Sequence, residues 1–260
     1  MTRLKLYLEY QGTRYSGWQI QKNARTVQGE ICEAIRKVTG LAGFEFHGAG
    51  RTDAGVHALR QVAHLELTTS PESEVLRRRV NEQLPSDIHI LKIERANPRF
   101  HARHHAVSRS YLYQISRRRT AFGKRLVWWI KEDLDLERMR RAATLFAGMK
   151  DYRSFAADAP DEKSTKVLIE RIVLKEAGGL VLIRIEGSHF LWKMVRRIVG
   201  VLTEAGKGRL PIEEIARFFD TTSDQPARLA APASGLFLER VYYEGDPRLE
   251  RLEPVIRIDD

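Results

Sequence analysis

Between positions 48 and 58 the chain reads Gly-Ala-Gly-Arg-Thr-Asp-Ala-Gly-Val-His-Ala. Arg51 and Asp53 are separated only by Thr52. In an extended segment that spacing puts both side chains on one face, where a guanidinium can orient a carboxylate. The chemistry on offer is an ionised carboxylate aimed at a substrate as a nucleophile. A surface ion pair in a plain loop would be worth little and is the competing reading. Glycines at 48, 50 and 55 favour the first reading, because they let a backbone adopt φ > 0 or approach a ligand closely.

The same stretch fails two other tests. A dinucleotide fingerprint would need glycine where Asp53 stands, and a carboxylate there would repel a pyrophosphate. A phosphate-cradling loop would need Gly-Lys-Ser/Thr, which is absent.

Other candidates are spread along the chain. The loop at 11–19 carries Arg14 and Tyr15 between Gly12 and Gly17, with Trp18 directly after, a mixture suited to base stacking and phosphate contact. Packing of Tyr15 and Trp18 on a sheet is an equal alternative. The stretch 100–106 is dense in imidazole, with His101, His104 and His105. It lacks thiolates and the H-E-x-x-H spacing of a metal centre, so it reads as a polar loop bordering a polyanion site. Tyr111 and Tyr113 alternate along a strand, and Lys193, Arg196 and Arg197 cluster on one side of a helix. The ordinary roles of these groups are packing and a solvated basic stripe.

The chain has 260 residues, 43% hydrophobic and 30% charged, which permits one large domain or two small ones. Lys and Arg number 44 against 34 Asp and Glu, giving a net charge of +10. Such an excess favours a polyanionic partner, nucleic acid before membrane. No apolar run approaches the roughly 20 residues that span a bilayer, and the N-terminus lacks an export signal. A single cysteine, Cys32, suits a reducing cytoplasm and reads as a buried, inert thiol. No metal, nucleotide or flavin motif is present, so no cofactor is expected.

The elements that must position these groups follow from periodicity. Alternation at 4–10 predicts a strand, and Thr26 caps a helix that Gly40 ends. Strands are predicted at 44–47 and 61–67, which places Asp53 on the connection between them. A helix at 73–84 and a strand marked by Ile88, Ile90 and Ile93 complete a first half. A second run follows: a strand at 108–115, a helix at 135–148, a polar loop at 156–166 and a hairpin at 168–186. It closes with helices at 190–205 and 212–219 and a last strand at 236–243. The fold class is therefore α+β, as two ferredoxin-like halves at 1–105 and 106–246, with a charged peripheral tail at 247–260.

The stretch 48–58 resembles the catalytic signature of the TruA family of tRNA pseudouridine synthases. The loop at 11–19, the string at 26–30, the segment 108–113, the Met194-to-Gly200 segment and the stretch 232–238 extend the resemblance over nearly the whole chain. His104 and His105 depart from the family pattern, as does Tyr152 in its D-F-x-S-F segment. The resemblance implies joined antiparallel sheets in a homodimer, with RNA in a cleft between the halves. It implies isomerisation of uridines 38, 39 and 40 of the anticodon stem-loop, without a cofactor. It makes Asp53 the nucleophile at C1′ or C6 and Tyr111 a group stacked near the flipped base. Arg196 pairs with the aspartate, and Arg51, Tyr15, Trp18 and His57 contact the RNA.

Overall fold

The computed structural model describes residues 1–157 and 164–259; positions 158–163 of the expected polar loop lie outside the described residues. The chain divides into two compact units, Met1–Val107 with Phe237–Pro247, and Ser108–Leu236 with Arg248–Asp260.

The first unit runs β1 (Thr2–Tyr10), α1 (Val27–Thr39), β2 (Glu45–Gly48), β3 (His57–Leu67), α2 (Ser73–Gln83) and β4 (Ile88–Arg95). Its strands lie in the order β4-β1-β3-β2, all antiparallel. This is the ferredoxin-like arrangement that the element order predicts. The alternation in β1 buries Leu4, Leu6 and Leu8 completely. Thr26 caps α1 by accepting from the Gly29 N–H, and Gly40 ends it in the left-handed conformation. Cys32 is buried on the inner face of α1, and burial pushes its thiol up to about 11.

The second unit runs β5 (Ser108–Ser116), β6 (Trp128–Trp129), α3 (Leu136–Thr144), β7 (Gly148–Asp151), β8 (Lys166–Ala177) and β9 (Leu180–Gly187). Three helices follow: α4 (Met194–Gly206), α5 (Ile212–Asp220) and a single turn, α6 (Gln225–Arg228). The antiparallel order is β5-β9-β8-β7, with β6 beside β5 in parallel. Apolar side chains of α4 lie wholly inward, among them Met194, Ile198 and Leu202.

The last strand, β10 (Leu236–Tyr242), returns to the first unit. Its Phe237 and Leu238 pair in parallel with His57 and Ala58 of β3. The sequence reading had assigned this strand to the second half.

Two further expectations change. The helix expected from 190 begins at Met194, because Lys193 takes a positive φ of 61° that interrupts a helical path. The tail is not peripheral. The guanidinium of Arg184, 2% exposed, donates to the carbonyls of Leu249 and Arg251. Gln114 Oε1 accepts from the Val255 N–H at 2.6 Å, and Leu252 and Ile258 are buried. A buried guanidinium needs acceptors, and the tail's main chain supplies them.

Candidate active site

The loop carrying Asp53 is fixed by its main chain. Ala49 N–H donates to Val62 at 2.7 Å, and the Gly50 carbonyl accepts from Gln61 Nε2 at 3.1 Å. Thr52 is buried, with its hydroxyl 2.8 Å from the Tyr10 hydroxyl. The Val56 N–H closes a turn on the Asp53 carbonyl at 3.1 Å, with Gly55 at φ 80° in its third position. That is the geometry of a type II turn, which requires φ > 0 there. Asp53 itself is half-buried at the start of this turn. The aspartate is held by a short, fully bonded loop between two strands.

The loop at 11–19 braces this turn. Trp18 N–H donates to the Thr52 carbonyl at 3.0 Å, and Gly17 sits at φ 93°. A Cβ on Gly17 would lie 2.7 Å from the Thr52 carbonyl oxygen and 3.2 Å from the Asp53 carbonyl carbon. Only glycine permits that approach.

Tyr15, Trp18 and His57 take supporting positions. They are 3%, 1% and 1% exposed, so Tyr15 and His57 have no open ring face on which a base could stack. The Tyr15 hydroxyl donates to Asp87 at 2.5 Å, and burial together with that carboxylate holds its proton firmly. His57 Nδ1 accepts from the Gly12 N–H at 3.0 Å, with its ring against Phe237. Trp18 stacks at a tilt on Tyr10 and Phe46. Tyr15 and Trp18 are thus both packed in the first unit, and Trp18 also lines the pocket beside Arg51.

Arg51 is exposed, and its Nε donates to Gln19 Oε1 at 3.1 Å. It lines a pocket of about 230 Å³ together with Gly50, Trp18, His47, His101 and Arg103. Of the two roles expected of Gly50, a positive φ is not the one it takes, and a Cβ there would meet open space. Its missing side chain leaves the pocket clear instead. Sequence reading missed this pocket, along with His47, His64, Gln28 and Gln61, because its walls come from segments far apart in the chain.

His64, on β3 opposite His47, was not singled out from the sequence. It is 1% exposed, and its Nδ1 accepts from the Ala102 N–H at 3.1 Å. Burial, with His101, Arg3, His47 and His104 around it, pushes the imidazole down to about 4. Ligand atoms of Glu45, His47 and His64 lie within 4.8 Å of one another. A metal would need a free Nε2 lone pair on His64. The Ala102 bond commits the Nδ1 lone pair, so the neutral ring carries its proton on Nε2 and offers a donor instead.

In the second unit Tyr111 is half-buried on β5, edge-on to Phe190 with centroids 5.0 Å apart. Tyr113 is fully buried, and its hydroxyl donates to the Pro232 carbonyl at 2.8 Å. The basic side of α4 is not a solvated stripe. Arg196 Nε donates to the Ala231 carbonyl at 2.7 Å, and the Ala231 N–H returns a bond to the Arg196 carbonyl at 2.9 Å. Arg197 donates to the Ser154 and Ala156 carbonyls, and burial lowers its pKa. Trp129 is 43% exposed, with the Arg119 guanidinium over its ring.

The chain matches the family model described as tRNA pseudouridine synthase over residues 7–105 and 142–244. Curated relatives extend the match to nearly full length. A tRNA pseudouridine synthase A of Thermodesulfovibrio yellowstonii is 36% identical over 255 residues, covering 94% of this chain and all of that one. The enzyme of the same name from Streptococcus equi subsp. equi is 38% identical over 248 residues, with 94% and 100% covered. The tRNA pseudouridine synthase A 1 of Protochlamydia amoebophila is 38% identical over 247 residues, with 93% and 96% covered. The family-model match includes the braced aspartate turn. The chain therefore belongs to the tRNA pseudouridine synthase family.

Proposed function

We propose that the chain converts uridines 38, 39 and 40 of the tRNA anticodon stem-loop to pseudouridine, with Asp53 as nucleophile. The observation that carries this reading is the aspartate turn: a half-buried carboxylate on a loop whose main chain is bonded at Ala49, Gly50, Thr52 and Asp53. Preorganisation of this kind suits a group that must meet one atom of a substrate.

The reaction breaks the N1–C1′ glycosidic bond, turns the uracil and forms a C5–C1′ bond. The proton lost from C5 is balanced by one gained at N1, so mass and oxidation state do not change. A stacked uridine is out of reach, and flipping it out costs a few kcal/mol. In this reading Asp53 attacks C1′ or C6, and Arg196 keeps the carboxylate ionised. Tyr111 stacks on the base and assists removal of the C5 proton. Arg51 contacts the extruded nucleotide. These roles require Asp53 of the first unit and Tyr111 and Arg196 of the second to meet at one nucleotide. The reading further holds that the enzyme works in the cytoplasm as a homodimer and needs no cofactor. Among the described residues, no helix is long and apolar enough to cross a membrane.

Incubation of the purified chain with unmodified tRNA transcripts, followed by pseudouridine mapping, tests the reading. Pseudouridine at 38–40 with unchanged RNA mass is expected. Tight binding without product would leave a non-catalytic RNA-binding protein, and cleaved glycosidic bonds would make it a hydrolase.

A further inference from the structure

The pocket in the first unit has a composition the aspartate turn does not explain. Its lining carries Arg51, Arg103, His47, His101 and His104, and no carboxylate. A carboxylate oxygen of Glu45, which is not part of the lining, lies within 4.8 Å of ring nitrogens of His47 and His64. Residues 101–105 form one tight turn that points imidazoles at this space. His101 Nδ1 accepts from the N–H groups of Arg103 and His104 at 3.2 and 3.3 Å. Its remaining ring nitrogen therefore carries the proton of the neutral form. His104 stacks at 4.1 Å from His101, and His64 lies behind at 4.6 Å. His64 Nε2 is buried and has no hydrogen-bond partner, a donor left without an acceptor. Buried donors without partners are uncommon and costly.

Two guanidinium groups and several imidazoles in a lining without a carboxylate describe a seat for an anion. Burial, with His104, His47, Arg3 and His105 as neighbours, holds His101 below its usual range. Of these neighbours, Arg3 is itself paired with Glu66.

We propose that this pocket seats one phosphodiester of the RNA backbone, with Arg51 and Arg103 as its permanent charges and His101 as a proton-dependent one. The proposal rests on the tRNA reading above and adds to it a pH-dependent contact outside the aspartate turn. Protonation of His101 and phosphate binding favour each other, so acidification tightens the complex.

The test measures binding of an anticodon stem-loop transcript to the full chain between pH 5.5 and 8 at constant ionic strength. The dissociation constant is expected to rise roughly tenfold across that range as one linked proton is lost. Asn in place of His101 keeps an acceptor for the Arg103 and His104 N–H groups, so H101N should fold and flatten the pH dependence. Gly50→Leu grows into open space and should weaken and flatten binding. His89→Asn, on the exposed side of β4, should retain the wild-type slope. Wild-type affinity and slope in both H101N and Gly50→Leu would overturn the proposal. Inorganic phosphate should compete with RNA on the wild type and not on Gly50→Leu. If the free ion bound with this pH dependence while the pocket variants left RNA affinity unchanged, the RNA assignment would fall. Pseudouridine mapping in parallel separates the two readings. Product without a pH-dependent affinity removes the pocket proposal alone, whereas a pH-dependent affinity without product removes only the catalytic reading.

Discussion

The main-chain N–H of Ala102 donates to Nδ1 of His64, tying the imidazole-rich turn to the middle of β3. This bond fixes the neutral tautomer and buries it where a second proton is unwelcome. The unfolded imidazole titrates near 6.5, and the folded one near 4. Between those values the unfolded chain binds more protons, so stability falls as pH drops from 6.5 toward 4. The full loss from this residue is about 3 kcal/mol. His64→Asn retains an acceptor for Ala102 and does not titrate. It should be less stable at pH 7.5 because of the cavity, but its melting temperature should fall less between pH 7.5 and 4.5. Thermal unfolding of both proteins at the two pH values checks this.

Asp53→Asn is expected to abolish pseudouridine formation while the fold and tRNA affinity persist. The amide matches the carboxyl in size but removes the anion. Thr52, Val56 and Gln61 hold the loop through groups other than the Asp53 side chain, so the variant should unfold like the wild type. Single-turnover assays with urea melts check both halves of the statement; more than trace turnover would remove Asp53 as nucleophile.

Arg196 separates two roles that predict different kinetics. If it keeps the nucleophile charged, Arg196→Met should lower the single-turnover rate by at least a hundredfold, and saturating RNA should not restore it. If it were one phosphate contact among many, the variant would mainly lose affinity. Its salt slope would drop by about one, and excess RNA would recover the rate. Rates at saturating RNA, set beside binding across salt concentrations, decide between them.

Gly200 predicts a structural route to the same loss. A Cβ at this position of α4 would lie 1.8 Å from the Leu229 carbonyl oxygen. Gly200→Ala must therefore push the 229–231 segment off the helix, and Ala231 is the residue that bonds Arg196 through both main chain and side chain. A loss of about 2–3 kcal/mol in stability is expected, as for other overpacked sites. Denaturant unfolding measures it, and activity should fall more than at a comparable buried site away from Ala231.

Local patterns in the sequence carried much of this structure. Thr26 and Gly40 mark the ends of α1 because capping chemistry is a matter of neighbouring residues. The aspartate turn was legible for the same reason, since Gly55 serves a turn only four residues long. Where physics acts at long range, the sequence was mute. The first residues of β3, His57 to Arg60, show no alternation, and nothing local announces that Ala58 lies between Tyr10 of β1 and Leu238 of β10. Arg184 looks like one charge in an apolar strand, and nothing nearby announces that carbonyls from Leu249 and Arg251 satisfy it. His64 sits in a strand whose pattern is simply buried, and its significance appears only when Ala102 and His101 are folded against it.

The return of β10 to β3 also sets a timetable. The chain is made from its N-terminus, at roughly 5–20 residues per second. Residues 1–107 emerge early, yet the partners of His57 and Ala58 are Phe237 and Leu238. Translating the intervening residues takes on the order of ten seconds. Through that interval the first residues of β3, just downstream of the aspartate loop, have β1 beside them at Ala58 but lack β10. The nascent protein thus carries β3 with one edge uncovered at His57 and Ala58 until synthesis is nearly over.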